Sequence, residues 1–104
     1  MAREEYLSPR ELRARFNVGG YYERAQSGEL SLEITDIGRA PARFPKTVRS
    51  QIVTYLSSTG RTLAITHQYG YANGDVVEGT LPDPKFLFED GIRYKPLRSR
   101  GRSS

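Results

Sequence analysis

Apolar and polar positions alternate most regularly between Val48 and Tyr71. In the first half, Val48, Ile52 and Leu56 share a parity with Ser50 and Thr54, while Val53 and Tyr55 occupy the other. Apolar residues on both parities mark a central strand. In the second half, Leu63, Ile65, His67, Tyr69 and Tyr71 fall on one parity, and Thr62, Ala64, Thr66, Gln68 and Gly70 on the other. Ser57–Arg61 lies between them and contains Gly60. The pattern predicts a β-hairpin with a connection of three to five residues and Gly60 at positive φ. The apolar parity, and His67 with it, is expected to face the core.

Upstream, residues 1–7 read as a frayed end. Ser8 is a good N-cap, Pro9 suits the first helical position, and Glu11 completes a capping box. Leu7 and Leu12 are placed for a hydrophobic staple, and Leu12 and Phe16 share one helix face. The helix is predicted to end near Asn17, before Gly19 and Gly20. Tyr21–Ser27 fits a short second helix that needs packing to hold it. Leu30, Leu32 and Ile34 alternate with Ser31 and Glu33, a half-buried strand. From Ile37 to Lys46, two prolines and a glycine predict a loop, pinned to the core by Phe44.

Downstream, Asn73–Gly74 fits a type I′ turn leading to a third antiparallel strand over Val76–Thr80. Asp83 as cap and Pro84 behind it favour a single helical turn through Phe86–Phe88. The competing reading is a small hairpin around Asp90–Gly91. Ile92 and Tyr94 form a last short strand. The expected fold is α+β, with short N-terminal helices on a curved antiparallel sheet of three to five strands. Residues 1–96 form one domain and 97–104 a disordered basic tail. An uncapped edge strand would offer a second copy a surface for homodimer pairing.

Composition narrows the chemistry. A chain of 104 residues suits one domain burying roughly 65% of its extended surface. No cysteine is present, which excludes disulfides and thiolate chemistry. His67 is the only histidine, so one chain cannot build a histidine metal site. Asp83, Glu89 and Asp90 match neither a calcium loop nor a carboxylate pair. No glycine motif for phosphates occurs, and no cofactor is expected. No apolar run has membrane-spanning length and the N-terminus lacks a signal pattern, so a cytoplasmic protein without a membrane partner is expected.

Net charge is +4, and its placement matters more than its size. Between Ile37 and Gly74 there is no acid, but Arg39, Arg43, Lys46, Arg49 and Arg61 are present. From Arg93 onward Lys95, Arg98, Arg100 and Arg102 follow, again without an acid. Such stretches suit a polyanion, though they also keep a small domain soluble.

Tyr6–Leu12, Asn17–Val18 and Ser27–Leu30 resemble the helix–turn–helix of excisionase-like DNA-binding domains. The resemblance covers about a quarter of the chain and implies a second helix that enters a DNA groove. Here Gly19–Gly20 stand where that helix has its polar start. The second half, with His67–Gln68–Tyr69, Gly74, Pro82–Lys85, Gly91 and Tyr94, resembles a group of small bacterial proteins. That likeness spans Val48 to Tyr94 and implies a recurrent domain without assigning chemistry.

Three classes of function follow. The first is a non-catalytic, accessory or regulatory nucleic-acid-associated domain. Arg39, Arg43, Lys46, Arg49, Arg61, Arg93 and Lys95 would meet phosphates, and Tyr71 would stack on bases. The second is a small protein-interaction or inhibitory module, suited to seven tyrosines and no catalytic constellation. The third is a metal-independent RNase-like toxin. There His67 would act as general base, with Tyr69, Arg61 and Arg49 at the scissile phosphate. The bland reading of His67 is a satisfied core or edge histidine bonded to a backbone carbonyl. A non-enzymatic protein is the leading expectation.

Overall fold

The structure, a computed structural model, describes residues 3–97. It consists of strand β1 (Arg3–Leu7), helices α1 (Pro9–Val18) and α2 (Tyr21–Gln26), then strands β2 (Ser31–Arg39), β3 (Arg49–Leu56), β4 (Thr62–Gly70), β5 (Asp83–Glu89) and β6 (Ile92–Pro96). All six strands form one sheet in the order β1-β6-β5-β4-β3-β2. Neighbours are antiparallel except β1 and β6, which are parallel. This corrects the expected curved antiparallel sheet of three to five strands: there are six, one pair is parallel, and the sheet neither curves nor closes. The molecule is a slab of 43 × 42 × 21 Å, with the helices on one side.

β1 overturns the frayed N-terminus. Its charged sequence carries no strand pattern, and its partner lies at the far end of the chain. Arg3 to Leu7 run in register with Ile92 to Pro96. Lys95 Nζ donates to Glu4 Oε2 at 3.1 Å, and the Leu97 N–H donates to the Leu7 carbonyl at 2.7 Å. Leu97, expected to begin the tail, therefore anchors the sheet edge; residues 98–104 lie outside the described part.

α1 forms as its residues dictate. The Glu11 N–H donates to Ser8 Oγ at 3.1 Å and the Ser8 N–H to Glu11 Oε1 at 3.0 Å. Leu12 and Phe16 point into the sheet, joined by Tyr21, Leu30, Val53, Tyr55, Ala64, Leu87 and Tyr94. Phe16 stacks on Tyr21 and meets Tyr55 edge-on, both at 5.5 Å between ring centres.

The downstream reading changes most. Val76–Thr80 forms no strand; Val76 makes a lone bridge to Gly70. Phe86–Phe88, expected as a helical turn, belongs to β5, and the competing hairpin reading holds. The type I′ geometry lies at Asp90 (φ 51°) and Gly91 (φ 77°), not at Asn73–Gly74, where Gly74 alone has positive φ. Pro84 is tolerated beside the register shift between Ile65 and Thr66, where the ladder is already interrupted. β2 runs on to Arg39 through an irregularity between Asp36 and Gly38, so the loop begins later than Ile37. Gly60 has the expected positive φ of 84°.

The inward face of β4 is the reverse of the expected one. Gln51, Val53 and Tyr55 turn toward the helices, opposite Gln68, Thr66 and Ala64. The apolar parity of β4, with His67, lies on the other side and is only half-buried. The cause is the turn Tyr71–Asp75, which folds back under this end of the sheet. Gln68 Nε2 donates to Gln51 Oε1 at 2.9 Å and to the Gly74 carbonyl at 3.0 Å. Gln51 Nε2 donates to the Tyr71 carbonyl at 2.9 Å. A buried turn carbonyl without a donor would cost about 1–3 kcal/mol, so amides displace aliphatics there. Gly70 leaves the space: a Cβ on it would sit 2.5 Å from Gln51 Oε1 and 2.9 Å from the Asp75 carbonyl.

Gly70→Ala is expected to destabilise the fold by about 2–3 kcal/mol in chemical denaturation, through overpacking and a displaced amide pair. An unchanged midpoint would contradict this packing. Burial pushes the Tyr55 hydroxyl up to about 12, while an unfolded tyrosine ionises near ~10. The folded chain thus holds this proton more tightly. The stability linked to it is intact below pH ~10 and is lost as pH rises toward the folded value. In an alkaline titration, the last tyrosinate absorbance is expected to appear together with unfolding.

Candidate nucleic-acid interface

The helix-free face of the sheet is built by alternation. Ile65 on β4 stands opposite Phe86 on β5 and Thr54 on β3. Phe88 stands opposite Arg93, and Lys95 beside Tyr6 of β1. His67 and Tyr69 continue the same parity toward the far end of β4. Aliphatic and aromatic side chains therefore line a surface that no helix covers.

One end of this face forms a shallow cleft of about 360 Å³, lined by Arg61, Thr62, Phe86, Phe88 and Arg93. Arg61 lies over the Phe88 ring at 5.3 Å. Neither Arg61 nor Arg93 forms an ion pair among the described residues. At the other end, Phe44 leans against Tyr69 at 5.2 Å, and the Arg43 guanidinium covers Phe44 at 4.6 Å. Phe44 therefore pins its loop to this open face rather than to the core; Val48 is the buried anchor.

The basic residues read from the sequence separate into groups. Arg39, Arg43, Lys46, Arg61 and Arg93 are free of ion pairs among the described residues, whereas Arg49 and Lys95 are engaged. Arg49 Nε donates to Asp36 Oδ2 at 2.8 Å. That bond, with the Gly38 N–H, holds the Asp36 carboxyl below the usual carboxylate range. Lys95 does the same to Glu4. Tyr71 begins the turn and supplies its carbonyl to Gln51, so its position is set by that backbone contact. Arg98, Arg100 and Arg102 lie outside the described residues.

His67 is half-buried and satisfied by a side chain, not by the backbone carbonyl of the bland reading. Its Nε2 shares a hydrogen bond with Ser50 Oγ at 2.7 Å, and its ring meets Tyr69 edge-on at 5.0 Å. The other two residues of the RNase set are elsewhere. Arg49 points to the helix side and is paired with Asp36. Arg61 precedes β4, six residues before His67, a span of about 20 Å in extended chain. Asp83, the cross-strand neighbour of His67, gives its carboxylate to Lys85 at 3.0 Å. The imidazole thus has a hydroxyl beside it, and neither Arg49 nor Arg61 is placed with it.

The helical side has a different character. Tyr21 of α2 is buried, its hydroxyl donating to Glu89, with burial and that carboxylate pushing its ionisation up. Glu23 and Gln26 face outward, and Arg24 is held by Glu29 at 2.9 Å. A groove of about 490 Å³ runs along α1 past Leu7, Ala14 and Val18, but Arg15 there is bound to Glu89. Among the described residues no His, Asp and Glu side chains group as a metal site, and no helix is long and apolar enough to cross a membrane.

Sequence reading missed Phe86, Phe88 and Ser50 as members of this face. The available signal was the alternation Phe86–Leu87–Phe88 ahead of Asp90–Gly91, which favours strand over helical turn. In comparison with known proteins, no family model matches the chain, and no curated protein or solved structure matches it either.

Glu4 and Asp36 have lowered pKa values in the folded chain, so their contribution is present above the ordinary carboxylate range and is lost as pH falls through their folded values. Both sit on edge strands. Protection factors, which correct for the slowing of intrinsic exchange in acid, are expected to fall in β1 and β2 on acidification before those in β3 and β4; a simultaneous fall would contradict the assignment.

Proposed function

We propose that the protein is a non-catalytic module that binds single-stranded nucleic acid on the helix-free face of its sheet. The observation that carries this reading is the cleft at Phe86 and Phe88, bordered by Arg61 and Arg93. Bases stack on aromatic faces for about 1–3 kcal/mol each, and unpaired arginines take up the phosphates. A duplex is a poorer fit: its bases are already stacked and would leave Phe86 and Phe88 without partners. The excisionase-like likeness implies DNA reading through α2 instead, but that helix is six residues long and turns Glu23 outward. The open face, not the helix pair, therefore supports nucleic-acid association.

Fluorescence anisotropy with a labelled single-stranded dodecamer, as RNA and as DNA, tests this. Binding is expected to weaken as salt rises. Phe88→Ala should lower affinity by about tenfold. Removing Arg61 and Arg93 together should flatten the salt dependence by about 1.4 log units per log unit of salt. Absence of binding at low salt rejects the proposal, and salt-insensitive capture of a protein on this face favours the interaction-module reading.

A further inference from the structure

The unpaired cations at the Phe44 end lie well away from the cleft. Thr62, which lines the cleft, and Tyr69, which carries Phe44, lie seven residues apart on β4, about 23 Å in extended chain. The loop between β2 and β3 places Arg39 and Lys46 around a second hollow of about 150 Å³, with Phe44 in its wall. It contains no acid. Arg43 covers one side of Phe44, and Tyr69 meets the ring as well. This repeats the chemistry of the cleft, an arginine on a half-buried phenylalanine, at the opposite end of the same face. Between the two lie Ile65, Phe86, His67 and Tyr69, and the nearby Lys85 is held by Asp83 at 3.0 Å.

We propose that this loop is a second nucleic-acid anchor, so that the ligand is one strand lying along β4 and held at both ends. The inference rests on the function proposed above and adds a minimum length. At a stacked rise of about 3.4 Å per nucleotide the path takes roughly seven nucleotides, and fewer when the strand is extended. A dinucleotide fills the cleft but does not reach the loop. The three cations and Phe44 anchor phosphates and a base at the far end, and the middle of the face is crossed by bases lying on apolar side chains.

The test compares wild type with the variant Arg39→Gln, Arg43→Gln, Lys46→Gln, all at exposed positions, after circular dichroism confirms an unchanged fold. Labelled oligouridylate of twelve and of two nucleotides are the probes, read by anisotropy and by NMR titration respectively. The variant is expected to lose about tenfold or more on the dodecamer and to show a shallower salt dependence. Its dinucleotide shifts, at Phe86, Phe88 and Arg93, should match those of wild type. Unchanged dodecamer affinity, or equal loss on both probes, overturns the second anchor while leaving the cleft intact. Failure of wild type to bind the dodecamer overturns both proposals.

Discussion

The paired amides of Gln51 and Gln68 decide how this molecule is arranged. They face each other across β3 and β4 and hand their donors to the carbonyls of Tyr71 and Gly74. Were either amide replaced by an aliphatic chain, the turn would bury unmatched carbonyls. Satisfying that turn commits Gln51 and Gln68 to the helix side, and the period of two along each strand commits everything else. Ile52, Ile65, His67 and Tyr69 then have nowhere to go but the uncovered face. A polar requirement at one end of the sheet thus leaves an apolar, aromatic surface on the other side.

The ion pairs divide the charge in a way that suits that surface. On the helix side Arg13, Arg15, Arg24 and Arg49 all lie beside carboxylates. Exposed pairs of this kind contribute little to stability, commonly less than about 1 kcal/mol. Their larger effect is on the field. They neutralise those four arginines, and the cations free of ion pairs among the described residues are Arg39, Arg43, Lys46, Arg61 and Arg93, together with Arg10. A polyanion approaching the molecule meets unneutralised cations at both ends of the open face.

The same arrangement separates the residues that an RNase-like reading would bring together. The Ser50–His67 contact gives the imidazole a hydroxyl partner at a half-buried position on the uncovered face. A strand interior supplies no convergent N–H groups for a developing oxyanion, because its amides are used by the ladder. Arg61 and Arg49, which both precede His67 in the chain, are kept from it by strand length and by strand face. Proximity in sequence does not become proximity in space along an extended chain.

Some features of this protein are written in neighbouring residues. The capping box of Ser8 and Glu11, the Gly60 turn and the acid-free run from Ile37 to Gly74 all follow from the chain itself, because each depends on groups a few residues apart. Others needed the tertiary structure. Arg3–Leu7 carries no strand signal and becomes one only because Ile92–Pro96 offers an open edge. The inward parity of β4 was hidden, since Gln68 answers to Gln51 seventeen residues away and to a turn carbonyl. Hydrophobic count alone chose the other face. Which cations stay unpaired was equally illegible, because an arginine's charge is cancelled by whichever carboxylate the fold brings within reach. Local chemistry set the elements; satisfaction of buried carbonyls across the sheet set the faces.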